Sequence, residues 1–461
     1  MKPRASRIPY LHDQEHSSSS LHFSSRLSRW LDDDHLVKSG KATNWKRQYK
    51  IRHNWSRGSA QVSETELTDQ IPVPPLLLRL HDGVVVVADS VCGLRAWSSK
   101  GYDRLLASIP LRPSVSEAPS EKPANPTALE IDGAESNTDA FNVSIGFSDG
   151  SFAIYTFQGQ EGSFVHRYSH APSSNGTVAA MAFSSPYLLT TTLKAMLSLY
   201  TFGHDCDGST VSPLDPPTLI ASLQSRTAYS PLSLAIRVSL QYITASIAYA
   251  MPIYMTHWTT GLQELRLALD GTVLDSRVAS AQELGRSMSS MANDPRSRKP
   301  YWFHVGRAIL RSKPTSLSYN HPYLLTAHAD NTLTLFMVVS DAKELSISAG
   351  KRLWGHTSSI SGVHIGDRGR AVSVSTTGNE LRIWELEEAL LSRKWKVSSP
   401  FSVQVRAPTE KMEGVRLEWY LEQNRSDMEI TKGWVAFDDE KVVLLREKVR
   451  GSQAIVVYDF T

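Results

Sequence analysis

Asp330-Asn331-Thr332-Leu333-Thr334-Leu335-Phe336 is the stretch on which the fold turns. A polar turn opens it, apolar residues then alternate with threonines, and an aromatic closes it. Alternation at period two is the mark of a strand rather than a helix. The same unit stands at Asp149-Gly150-Ser151-Phe152-Ala153-Ile154-Tyr155 and at Gly378-Asn379-Glu380-Leu381-Arg382-Ile383-Trp384. Weaker copies end at Trp97, Tyr200, Trp258 and Tyr458. A unit that recurs this often is a repeat, and a repeat too small to cover its own apolar faces must bury them against its neighbours.

Working outward, further strand signals fill the chain from about residue 74 to its end. They include Val84 to Ala88, Phe141 to Phe147, Tyr187 to Thr192, Tyr323 to Ala327, Ala371 to Ser375, Lys441 to Leu445 and Ala454 to Phe460. Turn residues separate them at short intervals, with almost no helical period. That rhythm predicts an all-β fold, a sandwich or a propeller, and the repeats select the propeller. Seven aromatic-ended units predict seven blades, with six or eight still open because two units are weak. Ile455 to Tyr458 is expected to close the ring by pairing with the first blade near Leu76 to Val87, which would remove the free sheet edges. Pro- and Ser-rich inserts at about 111–139, 203–218 and 281–300 read as disordered loops thrown out from this scaffold. The uncharged run Val238 to Thr256 is interrupted by Gln241, Thr244, Ser246 and Pro252, so it reads as two adjacent buried strands and not as a membrane helix.

Composition excludes several classes. The net charge of +3 over 461 residues supplies no strong field, so neither nucleic acid nor a membrane is expected as a partner. Two cysteines, Cys92 and Cys206, rule out a disulfide framework and suit a reducing compartment, cytoplasmic or nuclear. His321, His328, His356 and His364 lack metal-ligand spacing, and no metal or cofactor is expected. The acidic runs Asp32-Asp33-Asp34, Glu387-Glu388 and Asp438-Asp439-Glu440 lie in turn-like settings, unlike a catalytic pair held apart in a cleft. Phosphate-loop, dinucleotide and Gly-x-Ser-x-Gly patterns are all missing from the sequence, so no catalytic residue is assigned.

One repeat carries a resemblance. Leu353-Trp354-Gly355-His356-Thr357-Ser358-Ser359-Ile360 is followed, 28 residues after His356, by Trp384-Glu385. This Gly-His opening and Trp-Glu close resemble a WD40 repeat. The resemblance implies that a His, a Ser or Thr and a turn Asp form a hydrogen-bonded cluster inside the blade. His356 and Ser375 are the residues expected in two of those places, beside Trp384, while Gly378 stands in the place of the Asp.

A second resemblance lies ahead of the repeats. Residues 1–25 read as a disordered leader, and 26–60 as helical, with Leu27, Trp30 and Leu31 at helical spacing and Thr43 as N-cap of a helix holding Trp45 and Tyr49. Trp45-Lys46-Arg47-Gln48-Tyr49 leads to Asn54-Trp55-Ser56-Arg57-Gly58, and this segment is similar to the linker of F-box/WD-repeat proteins. The aromatics Trp45, Tyr49 and Trp55 are expected to pack into the neighbouring domain, with Leu27 to Val37 as an F-box remnant. The resemblance implies a protein-binding propeller that recognises substrates for an SCF-type cullin-RING ubiquitin ligase, joined to it through a Skp1-type adaptor. A WD-repeat scaffold without a ligase link is the alternative, and a propeller enzyme a third reading. If the Trp45 helix lies flat on a blade, the scaffold gains; if it stands off, the ligase does.

Overall fold

The computed structural model describes residues 45–68, 76–99, 104–111, 124–132, 140–203, 214–225, 229–239, 241–254, 257–269, 272–281, 312–341, 344–366, 369–376, 380–391, 402–405, 428–429, 435–448 and 453–461. The leader 1–25, the Leu27 to Val37 remnant, Thr43 and most of the insert 281–300 lie outside these residues. The described chain forms a seven-bladed β-propeller of antiparallel sheets.

Blade one comprises Leu77–His81, Val84–Asp89, Gly93–Ser98 and Leu105–Ile109, and blade two Pro126–Ile131, Ala140–Phe147, Phe152–Gln158 and Ser163–His170. Blade three follows with Val178–Ser184, Tyr187–Thr192, Met196–Thr201 and Thr218–Gln224. Blade four has longer strands, Tyr229–Val238, Tyr242–Tyr254, His257–Ala268 and Val273–Ser280. Blade five runs Ser316–Asn320, Tyr323–Ala327 and Thr332–Ser340, with Leu345–Ile347 and Lys351–Trp354 sharing its outer edge. Blade six is Ile360–Ile365, Arg370–Ser375, Leu381–Glu385 and Ser402–Gln404. We letter the strands a to d from the axis outward, since the first strands of successive blades adjoin one another in a ring.

Blade seven is composite. Val435–Phe437 and Met428–Glu429 supply its inner strand, Lys441–Lys448 and Gln453–Asp459 the next two, and Gln61–Thr68 the outermost. Gln453–Asp459 therefore closes the ring with Gln61–Thr68, in register from Gln61 opposite Asp459 to Thr68 opposite Gln453, and not with Leu76 to Val87. Propeller strands thus begin ahead of residue 74. Outer strands have one wet face, and Gln-Val-Ser-Glu-Thr-Glu-Leu-Thr carries only two apolar residues to announce itself.

Why the remaining strands were legible is clear from the packing. Seven apolar clusters occur, one at each blade–blade interface. In Val84–Asp89, Val86 and Ala88 face blade two while Val85 and Val87 face blade seven. A strand covered on both sides reads as a continuous apolar run, as Val-Val-Val-Val-Ala does here. The tight b–c turns are set by aspartates. Asp149 Oδ1 accepts the Ser151 N–H at 2.9 Å, Asp330 Oδ1 accepts the Thr332 hydroxyl at 2.6 Å, and Gly150 and Asn331 take φ of 82° and 65°.

Three sequence expectations are revised here. Val238 to Thr256 is mostly one 13-residue strand, Tyr242–Tyr254, because Pro252 sits within it near the end of the b–c hairpin rather than at a turn. The predicted insert 111–139 conceals strand a of blade two, Pro126–Ile131, whose Leu129 is buried. Likewise strand d of blade three starts at Thr218, inside the 203–218 boundary. No helix among the described residues is long and apolar enough to cross a membrane.

Polar residues lock blades four and five together. Glu264, in strand c of blade four, is fully buried. Arg237 and Arg277 each donate to it at 3.0 Å, and the Ser340 hydroxyl of blade five donates at 2.6 Å. Two guanidinium groups and a hydroxyl give a carboxylate at 0% exposure the hydrogen-bond partners that its burial demands.

Candidate protein-binding surfaces

Successive strands alternate in direction, so every b–c turn and d–a crossing lies on one rim of the ring, here the upper, and every a–b and c–d turn on the lower. The residues singled out from the sequence fall on both rims.

The blade-six cluster forms, with two changes of membership. His356 arrives on the crossing from blade five, and its Nε2 lies 2.5 Å from Oγ of Ser373 in strand b. Trp384 Nε1, in strand c, donates to the same oxygen at 2.7 Å. Ser375 is not the partner. Alternation puts residues 373 and 375 on one face, but the imidazole reaches past Ser375 to the deeper Ser373, while Ser375 Oγ accepts the Glu380 N–H at 3.2 Å. The acid is Glu380, whose Oε2 stands 3.3 Å from His356 Nδ1 and accepts from Thr357 N–H at 2.8 Å. Arg382 donates to the other oxygen at 2.8 Å. Gly378 lies outside the described residues.

These contacts fix charge states. Burial pushes His356 down to about 4 and outweighs the pull of Glu380, so the ring is neutral. Burial pushes Glu380 upward, but Thr357 N–H, the Arg382 guanidinium and His356 together hold its carboxyl below the usual range. A neutral ring fits a single proton order: Trp384 donates to Ser373, Ser373 donates to Nε2, and Nδ1 carries its hydrogen toward Glu380. The cluster sits in the core beside Ile360 and Leu353, and its role is to hold the blade.

On the lower rim lies helix α1, Trp45–Arg57. Ile51 and Trp55, one turn apart, enter the core between blades six and seven. The Trp55 ring stacks on Phe460 at 4.1 Å, its Nε1 donates to the Asp439 carbonyl at 2.8 Å, and the Arg370 guanidinium covers the ring at 4.6 Å. Asn54 Nδ2 donates to the Phe460 carbonyl at 2.9 Å. Gly58 then takes φ of 65°, with its α-carbon against the Gln404 backbone, where any side chain would collide. Asn54, Trp55 and Gly58 each have a place in this packing. Tyr49 is not buried. At about 100° per residue it sits some 200° round the helix from Ile51, and it is 68% exposed, stacked at 6.0 Å on His53. Of the helix's described residues, Ile51 and Trp55 form the buried stripe, and Tyr49 lies off it. The side chain of Trp45 lies outside the described residues.

The upper rim carries a feature the sequence did not disclose, a cleft of about 510 Å³ between blades three and four. One wall is the b–c turn of blade three, Thr191, Thr192, Leu193 and Ala195; the other is Tyr229, Ile247 and Tyr249 of blade four, with Lys313 at one end. Residues more than a hundred positions apart meet here, so no local motif marks it. Cys92 is exposed. Among the described residues, no group of three or more His, Cys, Asp and Glu is arranged to hold a metal.

Among solved structures, the β-propeller domain of Cps50 (Swd1) from Myceliophteria thermophila is 10% identical, covering 87% of this chain and 100% of that one, with a TM-score of 0.45. The C-terminal WD40 domain of Sif2 is 8% identical over 87% and 99% of the two chains, at 0.44. BamB from Moraxella catarrhalis is 10% identical over 87% and 99%, at 0.39. The fold rests on the sheets described above and not on these likenesses. No curated protein matches the chain in sequence. The family model for the F-box protein pof12 β-propeller matches residues 60–461, a span that opens one residue before the ring-closing strand.

Proposed function

The chain belongs to the family of the F-box protein pof12 β-propeller, and on that premise we propose that it is a substrate-recognition subunit of an SCF-type cullin-RING ubiquitin ligase. The propeller holds the target protein on its upper rim. A Skp1-type adaptor engages the chain ahead of α1, and ubiquitin transfer belongs to the machinery so recruited. The observation that carries this reading is the match of the F-box protein propeller family over residues 60–461. Trp55 and Ile51 of α1 are part of the blade six–seven core, so the helix itself is fixed on the lower rim. The cleft lies on the opposite rim. A recognition subunit needs that separation between the end that meets the ligase and the end that meets the target.

The test is co-purification of the full chain with a Skp1-type adaptor. A stoichiometric complex is expected, and its loss on deletion of residues 1–44 follows. Failure to form any complex with the adaptor sinks the ligase reading. One observation favours the alternative, a scaffold that organises a multiprotein complex without a ligase: α1 lies against the blades instead of standing off from them. That scaffold predicts stable partners and no adaptor in the same experiment.

A further inference from the structure

The cleft between blades three and four has a definite chemistry. Its volume of about 510 Å³ falls in the range of formed binding sites. Its apolar wall is built, not incidental. Tyr249 lies directly opposite Gly261 across the strand pair, and a Cβ at Gly261 would meet the Tyr249 ring at 2.7 Å. The absence of a side chain there lets the ring lie against the Gly261 backbone, where it forms part of the cleft wall. Tyr229, 45% exposed, sits at the mouth and meets Trp258 edge-on at 5.8 Å, while Leu193 is 68% exposed across from them.

Electrically the cleft is one-sided. Among the described residues of its lining, Lys313 is the charged one and none is Asp or Glu. Its ammonium sits 5.3 Å from the centre of the Trp258 ring, and among the described residues it makes no ion pair. A cation held on an aromatic face without a carboxylate is set to receive an anion from outside. The hydroxyls and amides of Thr191, Gln224 and Ser230 along the same cleft offer both donors and acceptors, which suits a peptide backbone. A nucleic acid would need several cations in line, and the described lining offers one.

We propose that this cleft seats an extended acidic segment of the target protein, with an apolar side chain between Leu193 and Tyr229 and a neighbouring carboxylate at Lys313. The proposal rests on the reading of the propeller as a target-holding subunit and names the chemistry of what it holds.

The experiment uses the full chain and three fluorescent 12-residue peptides that share a central leucine, flanked by Asp and Glu, by Ser, or by Lys. Binding is followed by anisotropy at low and high salt. The acidic peptide is expected to bind about tenfold tighter than the Ser-flanked one at low salt, with the advantage shrinking at high salt. Lys313→Glu is expected to remove that advantage and Lys313→Ala to reduce it about threefold, whereas Arg104→Glu on the lower rim leaves it unchanged. Lys313 is exposed, so circular dichroism should match for all variants. The proposal is overturned if the acidic peptide does not bind, if the Lys-flanked peptide binds as well, or if Lys313→Glu has no effect. Adaptor capture on the same preparations separates the two readings: a retained adaptor with Lys313-insensitive binding removes only the cleft proposal, and a lost adaptor with Lys313-dependent binding removes only the ligase.

Discussion

The neutral imidazole of His356 makes a quantitative prediction about pH. Burial lowers this group from its ordinary 6.5 to about 4 in the folded protein, while in the unfolded chain it returns to about 6.5. Unfolding near pH 5 must therefore take up nearly one proton at this site, which favours the unfolded state as acid is added. The sign follows: the contribution is complete above about 6.5 and is lost as pH falls toward 4. Between pH 7 and pH 5 the two proton-binding curves diverge by about 2 kcal/mol at 1.36 kcal/mol per pH unit. His81 and His170 are also lowered by burial, a shift of the same sign, so the wild-type loss exceeds this share. A comparison isolates it. His356→Gln keeps a polar group near Ser373 and removes the titration. Urea unfolding followed by tryptophan fluorescence at pH 7 and pH 5 should show the wild type losing about 2 kcal/mol more than the variant. Equal losses in the two proteins would refute the neutral-ring assignment and the proton order drawn from it.

Other perturbations test other parts of the structure. Glu264→Ala leaves Arg237 and Arg277 facing each other without a carboxylate and should cost about 3–5 kcal/mol in urea unfolding. Trp55→Ala removes the stack on Phe460 and the bond to Asp439, with an expected cost of about 3–5 kcal/mol. Tyr49→Ala on the exposed face should change stability by less than about 0.5 kcal/mol, which the same assay reads directly. Ser373→Ala strands the Trp384 N–H in the core and should cost about 1–3 kcal/mol, whereas Ser375→Ala, which gives up a bond from a backbone N–H, should cost less.

What was legible in the sequence follows from how its information is stored. Strands such as Tyr187–Thr192 and Tyr323–Ala327 are buried along their whole length, and burial on both faces writes itself as a run of apolar, aromatic and threonine residues without charge. Gln61–Thr68 and Thr218–Gln224 are outer strands with a wet face, so their signal is diluted among Ser, Thr and Glu. Pro126–Ile131 begins with a proline and adjoins a Pro- and Ser-rich stretch, and local composition hid it. In blade six the residue types were readable but the depth was not: residues 373 and 375 share a face, and only the reach of the His356 ring chooses between them. Glu380 occupies the acid's place two residues beyond Gly378, where a pattern that expects Asp at a set position passes over it. The cleft was beyond reach because its walls come from different blades and its one charge from a third.

The pairing of Gln61–Thr68 with Gln453–Asp459 has a consequence for biosynthesis. The outermost strand of the last blade leaves the ribosome about 400 residues before the partner it must join. At roughly 5–20 residues per second that is an interval on the order of 20–80 s. Throughout it, Gln61–Thr68 has no neighbour, and blade one cannot complete its interface with blade seven. Folding of the ring is therefore committed after translation of its final strand. Any stop codon that removes Gln453–Asp459 does more than trim one strand: it leaves two blades open and Gln61–Thr68 without a sheet to join.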